Sequence, residues 1–133
     1  MIPNDRVYTT NHQWVKPGTG LVEMGVTEQL LRKIGPLISV ELPDADDELK
    51  AELPFGELEG LRETWQLYPP LEGRIVEVNE ELIWSHKKLL KDPYKQGWLL
   101  KVRPHDPEAM KKLWNADKYR KFCEETLGAA SVK

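Results

Sequence analysis

A chain of 133 residues, 40% apolar and 31% charged, has the length of one domain and the composition of an ordinary globular protein. Nineteen Lys and Arg against twenty-two Asp and Glu leave a net charge of -3, which argues against the basic face of a nucleic-acid binder. The longest apolar runs, such as PLISVELP, fall far short of the roughly 18 residues that cross a bilayer, so no membrane partner is expected. MIPNDRVYTT lacks the charged-then-apolar pattern of a secretory signal, and the single Cys123 cannot form an internal disulfide, so the expected location is the cytoplasm.

Turn residues punctuate the first half every few positions, so its elements must be short. QWV and LVEMGV flank KPGTG, where Pro17, Gly18 and Gly20 favour a reversal between two strands. TEQLLRKIGP predicts a helix of about two turns: Thr27 caps it, Leu30, Leu31 and Ile34 share one side, and Gly35 with Pro36 stops it. LISVELP reads as a buried strand ended by Pro43, DADDE as a solvated acidic turn, and LKAELPF as another extended piece. The acidic turn lacks the spaced oxygen ligands and trailing Glu of a calcium loop.

From Gly56 the alternation sharpens through Leu58, Leu61, Trp65, Leu67 and Tyr68, with PPLEG as a turn and RIVEVN as a strand. Short strands joined by tight turns predict a mostly β barrel or sandwich. EELIWSHKKLLKDPY fits either a helical excursion or an ordered loop, and GWLLKVRP returns as a strand; Trp14 and Trp98 are read as structural strand residues. Asp106 and Pro107 open a helix with Met110, Leu113 and Trp114 on its apolar face. NAD at 115–117 caps a second, in which Tyr119, Phe122, Cys123 and Thr126 recur at helical spacing, and 128–133 is expected to be a flexible tail of this single domain.

Local chemistry points to no reaction. His12, His86 and His105 are isolated from one another and from the cysteine, which suits polar or capping roles and predicts no metal. PGTG lacks the spacing and trailing Lys of a phosphate loop, and no serine has the setting of a nucleophile elbow. Glu57 and Glu59, two apart on a strand, mark a solvated face. Cys123 is an apolar filler on its helix. These observations stop at a mostly β binding module without catalytic groups.

Taken in order, several stretches resemble the H-protein family of the glycine cleavage system. HQWV is similar to the family's His-Glu-Trp-Val; MGVTEQLLRKIG with ISVELPD resembles its Gly-Ile-Thr helix and Val-Glu-Leu-Pro strand. LYPPLEGRIVEVNEEL, DPYKQGWLLKV and DPEAMKKLWNADKYRKF continue the likeness to the end. The resemblance implies the flattened β-barrel and sandwich hybrid of lipoyl and biotinyl carrier domains, with a short internal helix and C-terminal helices. It also implies a lipoyl carrier that shuttles an aminomethyl group among the enzymes of glycine cleavage.

One position departs from that pattern decisively. The family's hairpin reads Val-Glu-Ser-Val-Lys-Ala, its Lys receiving lipoate in amide linkage; without a gap between Gly56 and Tyr68, this chain gives Leu58, Glu59, Gly60, Leu61, Arg62 and Glu63. Amide formation needs a neutral amine, and a guanidinium stays protonated with delocalised lone pairs. No lysine lies between Lys50 and Lys87. The expectation is a monomeric binding module without lipoate, docking glycine cleavage enzymes or other lipoate-linked proteins through Glu59, Gly60, Leu61, Arg62, Glu63 and Trp65. The alternative is a working carrier with another acceptor. Arg62 reads either as a recognition group or as a surface cation paired with Glu59 or Glu63, worth about 0–1 kcal/mol; core packing is the stronger reading of Trp65.

Overall fold

Turn chemistry sets the frame of the computed structural model, which describes residues 1–128. KPGTG reverses the chain between Gln13–Pro17 (β2) and Val22–Val26 (β3), with Trp14 opposite Gly25 and Val15 opposite Met24. Val7–Tyr8 (β1) borders β2, and Leu100–Pro104 (β9), Gly73–Val78 (β8) and Glu48–Leu49 (β5) complete a six-stranded sheet in the order β1-β2-β3-β9-β8-β5. Leu37–Glu41 (β4), Gly56–Gly60 (β6) and Thr64–Leu67 (β7) form a second sheet, and every pairing is antiparallel. This is the mostly β, two-sheet hybrid that the resemblance implies. Past Gly128, the expected tail lies outside the described residues.

One core joins the sheets, built from Val15, Met24, Leu58, Leu67, Ile75 and Val102, with Leu30 and Ile34 supplied by the helix Glu28–Ile34 (α1). Each such side chain contributes on the order of 2 kcal/mol by leaving water. A smaller core of Ile2, Tyr8, Trp14, Ala116, Tyr119 and Cys123 fastens the last helix, Ala116–Leu127 (α4), to β1 and β2. There Tyr8 stacks on Tyr119 with ring centroids 4.8 Å apart. Cys123 is fully buried, and burial raises its thiol pKa, as suits a filler rather than a nucleophile.

The ambiguous segment after Asn79 is helical: Glu81–Trp84 (α2) buries Leu82 and Lys87–Lys91 (α3) buries Leu89. Other expectations are corrected. β4 is not a buried strand, because it is the edge of its sheet; only Val40 is buried and Ile38, at a bulge, is exposed. Of LKAELPF only Leu49 joins a strand, together with the preceding Glu48, since Glu52 takes a left-handed φ of 68° that breaks the extended run. Trp98 precedes β9 instead of lying on it, half-buried under the Lys101 ammonium at 4.8 Å. Pro107–Lys112 is a 3-10 helix that buries no residue fully, although Asp106 caps it by accepting from the Glu108 amide. Thr126 is exposed on α4, its hydroxyl donating to the Phe122 carbonyl. Among the described residues no helix is long and apolar enough to cross a membrane.

A buried polar chain ties the elements together. His12, at a left-handed φ of 59°, places Nδ1 2.7 Å from the Tyr119 hydroxyl, which lies 2.7 Å from Thr27 Oγ1. Thr27 Oγ1 in turn accepts from the Leu30 amide as the N-cap of α1. Burial, helped by the nearby Lys33 charge and opposed by Glu63, pushes the His12 imidazole down from 6.5 to about 4. Unfolded chains therefore take up the proton first. The stability this holds in place is complete above about pH 6.5 and is lost on acidification, by about 2 kcal/mol at pH 5 and about 3 kcal/mol at pH 4. Urea denaturation across pH 4 to 7 should show that acid limb, and His12→Asn, which tolerates the left-handed backbone, should flatten it.

Candidate functional site

The hairpin of β6 and β7 presents the residues singled out in the sequence. Glu59 pairs with Thr64, and the Gly60 amide donates to the Glu63 carbonyl at 3.0 Å, which leaves Leu61 and Arg62 at the tip. The tip does not stand free. The Leu61 amide donates to the Pro36 carbonyl at 2.8 Å and the Arg62 amide to the Ile34 carbonyl at 2.9 Å, so the turn rests on the C-terminal end of α1. Gly60 permits that approach: it is buried, and a Cβ there would collide with the Ile34 carbonyl.

Arg62 folds back over the helix end. Its side chain crosses Gly35, where an added Cβ would meet Arg62 Cγ and Nε at 3.3 Å, and its Nη2 donates to the Arg32 carbonyl. It is exposed, yet it pairs with neither Glu59 nor Glu63, which corrects the reading of a loose ion pair on the hairpin. The carboxylates are engaged elsewhere. Glu63 takes Lys33 Nζ at 3.0 Å, and Glu59 accepts from the Ser39 hydroxyl at 3.1 Å. Leu61 projects outward at 70% exposure.

Trp65 is half-buried against the main core, as the core reading anticipates, and its indole N–H donates to the Asn11 carbonyl at 3.1 Å. Its ring lies 5.7 Å from that of His12, with Lys33 Nζ at 5.5 Å on its face. A groove of about 340 Å³ runs beside the tip, lined by Leu31, Pro36 and Leu90 together with Glu28, Arg32 and Arg62. Arg32 also bonds Glu28 one turn earlier. The structure thus gathers Gly60, Leu61, Arg62, Glu63 and Trp65 about α1. Glu59 and Glu57 lie along β6, where Glu57 accepts from Gln66.

The sequence reading missed Lys33 and the carbonyls of Arg32 and Ile34, and it gave Gly35 and His12 only a helix stop and a polar or capping role. The Thr27 cap and Gly35 stop locate the helix end, but nothing local signals that a residue 30 positions later will close it. Lipoate in amide linkage needs a primary amine, and the tip offers a guanidinium, so its residues do not fit that group. Lys50 adjoins β5 in the other sheet, Lys87 opens α3, and Lys33 belongs to α1 with its Nζ held by Glu63. Among the described residues no group of three His, Cys, Asp or Glu could hold a metal. His105 instead bonds Glu48 at 2.6 Å.

Comparison with known proteins agrees with this architecture. The family described as Glycine cleavage H-protein matches residues 6–126. The glycine cleavage system H protein of Halalkalibacterium halodurans is 36% identical over 124 residues, which cover 93% of this chain and 97% of that protein. The protein of the same name from Anaeromyxobacter sp. is 33% identical over the same shares. The crystal structure of a glycine cleavage system H protein from Mycobacterium marinum superposes with a TM-score of 0.81 at 34% identity, covering 90% of this chain and 97% of that one.

Because the Ile34 carbonyl is backbone and cannot swing aside, Gly60→Ser should lower unfolding free energy by about 1–3 kcal/mol, the usual cost of overpacking. Leu61→Ala, on an exposed side chain, should stay within about 0.5 kcal/mol. Urea denaturation of both variants checks the contrast.

Proposed function

The chain belongs to the glycine cleavage H-protein family, and from that premise we propose that it is a non-enzymatic binding module that carries no lipoyl group. The observation that carries this reading is Arg62 at the hairpin tip, with no lysine on the hairpin to replace it. A lipoylating enzyme delivers its acyl group to the unprotonated nitrogen of an amine, and a guanidinium offers none. Lys33, beside the tip, is anchored to another element and engaged by Glu63.

The partners we propose are the glycine cleavage enzymes or other lipoate-linked proteins, met by a cytoplasmic monomer. Within the proposed contact surface the roles divide by exposure. Leu61 offers apolar area, Arg62 and Glu63 offer charge, Glu59 extends the surface along β6, and Gly60 and Trp65 act by fixing its shape. A docking surface that small gains affinity from a few well-placed residues, so Leu61 is the one whose truncation should weaken binding most.

Co-expression with a lipoylating enzyme followed by intact-mass measurement tests the reading. The expected result is an unmodified chain; a gain of one lipoyl group would overturn it in favour of a working carrier. Arg62→Lys in the same experiment separates a missing amine from a remodelled tip.

A further inference from the structure

We propose that the hairpin tip is a latch, in which Arg62 serves as the C-terminal cap of α1 and closes the hairpin onto that helix. The argument begins with Pro36. In a continuing helix the Arg32 carbonyl would accept from the amide of residue 36, but proline has no N–H, so this carbonyl needs a donor from outside the helix. Arg62 Nη2 supplies it, and a cation at this end also opposes the negative pole of the helix.

Two further carbonyls at and just past the helix end are met by backbone: Ile34 accepts from the Arg62 amide and Pro36, two residues beyond α1, from the Leu61 amide. Glu63 adds an ion pair to Lys33 in the last turn. Gly60 removes the one Cβ that would hold the backbones apart. Gly35, at a φ of 83° that other residues rarely adopt, leaves the path open for the Arg62 side chain.

Gly60, Arg62 and Glu63 therefore all meet one target, the C-terminal end of α1. The latch makes residues 60–63 a fixed part of the fold and holds Leu61 outward in one orientation. It stands on these contacts alone, whatever the tip binds.

Amide hydrogen exchange followed by NMR on the intact chain tests it. Arg62→Met, which keeps the aliphatic length and removes every side-chain donor, should speed exchange of the amides at positions 61 and 62 by about 10-fold or more, while β2 and β3 keep their rates. Arg62→Lys should fall between, and Glu63→Gln should give about 3-fold. Unchanged rates at 61 and 62 in Arg62→Met would overturn the latch, as would an increase shared equally by β2 and β3. Should Arg62→Met fail to fold, the Arg62→Lys and Glu63→Gln rates decide by the same criterion. Loss of the latch and gain of a lipoyl group are read by different instruments, so either idea can fail alone.

Discussion

Helix α1 has seven residues, about half of what an isolated helix needs to persist in water, and the site depends on its being held at both ends. At one end Thr27 caps it and connects through Tyr119 to His12, drawing the N-terminal strands and α4 to a single buried point. At the other end the β6–β7 tip satisfies carbonyls that Pro36 and the chain reversal leave open. Between the two, Leu30 and Ile34 enter the main core with no exposure. The helix is thus fixed at both termini and along its buried face.

Charge alone does not account for the placement of the tip. Surface ion pairs such as Lys33 with Glu63, each roughly a third exposed, contribute about 0–1 kcal/mol, so the backbone hydrogen bonds to the Ile34 and Pro36 carbonyls, about 1 kcal/mol each, weigh as much in placing the tip. The outer face of the small sheet sets like charges side by side. Glu41 lies directly across from Glu57, with Glu59 two residues on, an unfavourable arrangement tolerated because that face is in solvent. The sheet is thus acidic outward, while Lys33 of α1 and Arg62 of the hairpin tip put cations at the helix end.

Much of the architecture was legible because its determinants are local. Thr27, Asp106 and Asn115 each cap the element that follows, and Gly35 ends α1, all within four residues of the groups they bond. Burial was less legible: LISVELP is apolar enough for a central strand, but its place at a sheet edge is decided by β6, twenty residues away. The position of Arg62 could be read from spacing and its partner could not. Glu59 and Glu63 are its sequence neighbours, while the acceptor it uses is a backbone oxygen, which has no signature in the side-chain text. The sequence around His12 suits a polar or capping role, and its buried bond to Tyr119 joins positions more than a hundred residues apart.

The convergence of Gly60, Arg62 and Glu63 on one helix end makes the hairpin tip respond to substitution as a unit. Contacts that share a target are not additive, so the effect of changing one residue depends on the other two. A lysine at 62 would still sit between a glycine shaped for close approach and a glutamate committed to Lys33. A larger residue at 60 would push the turn off the helix end and weaken the Arg62 and Glu63 contacts with it. The tip is therefore a place where single substitutions report on their neighbours, and only combined variants separate the parts.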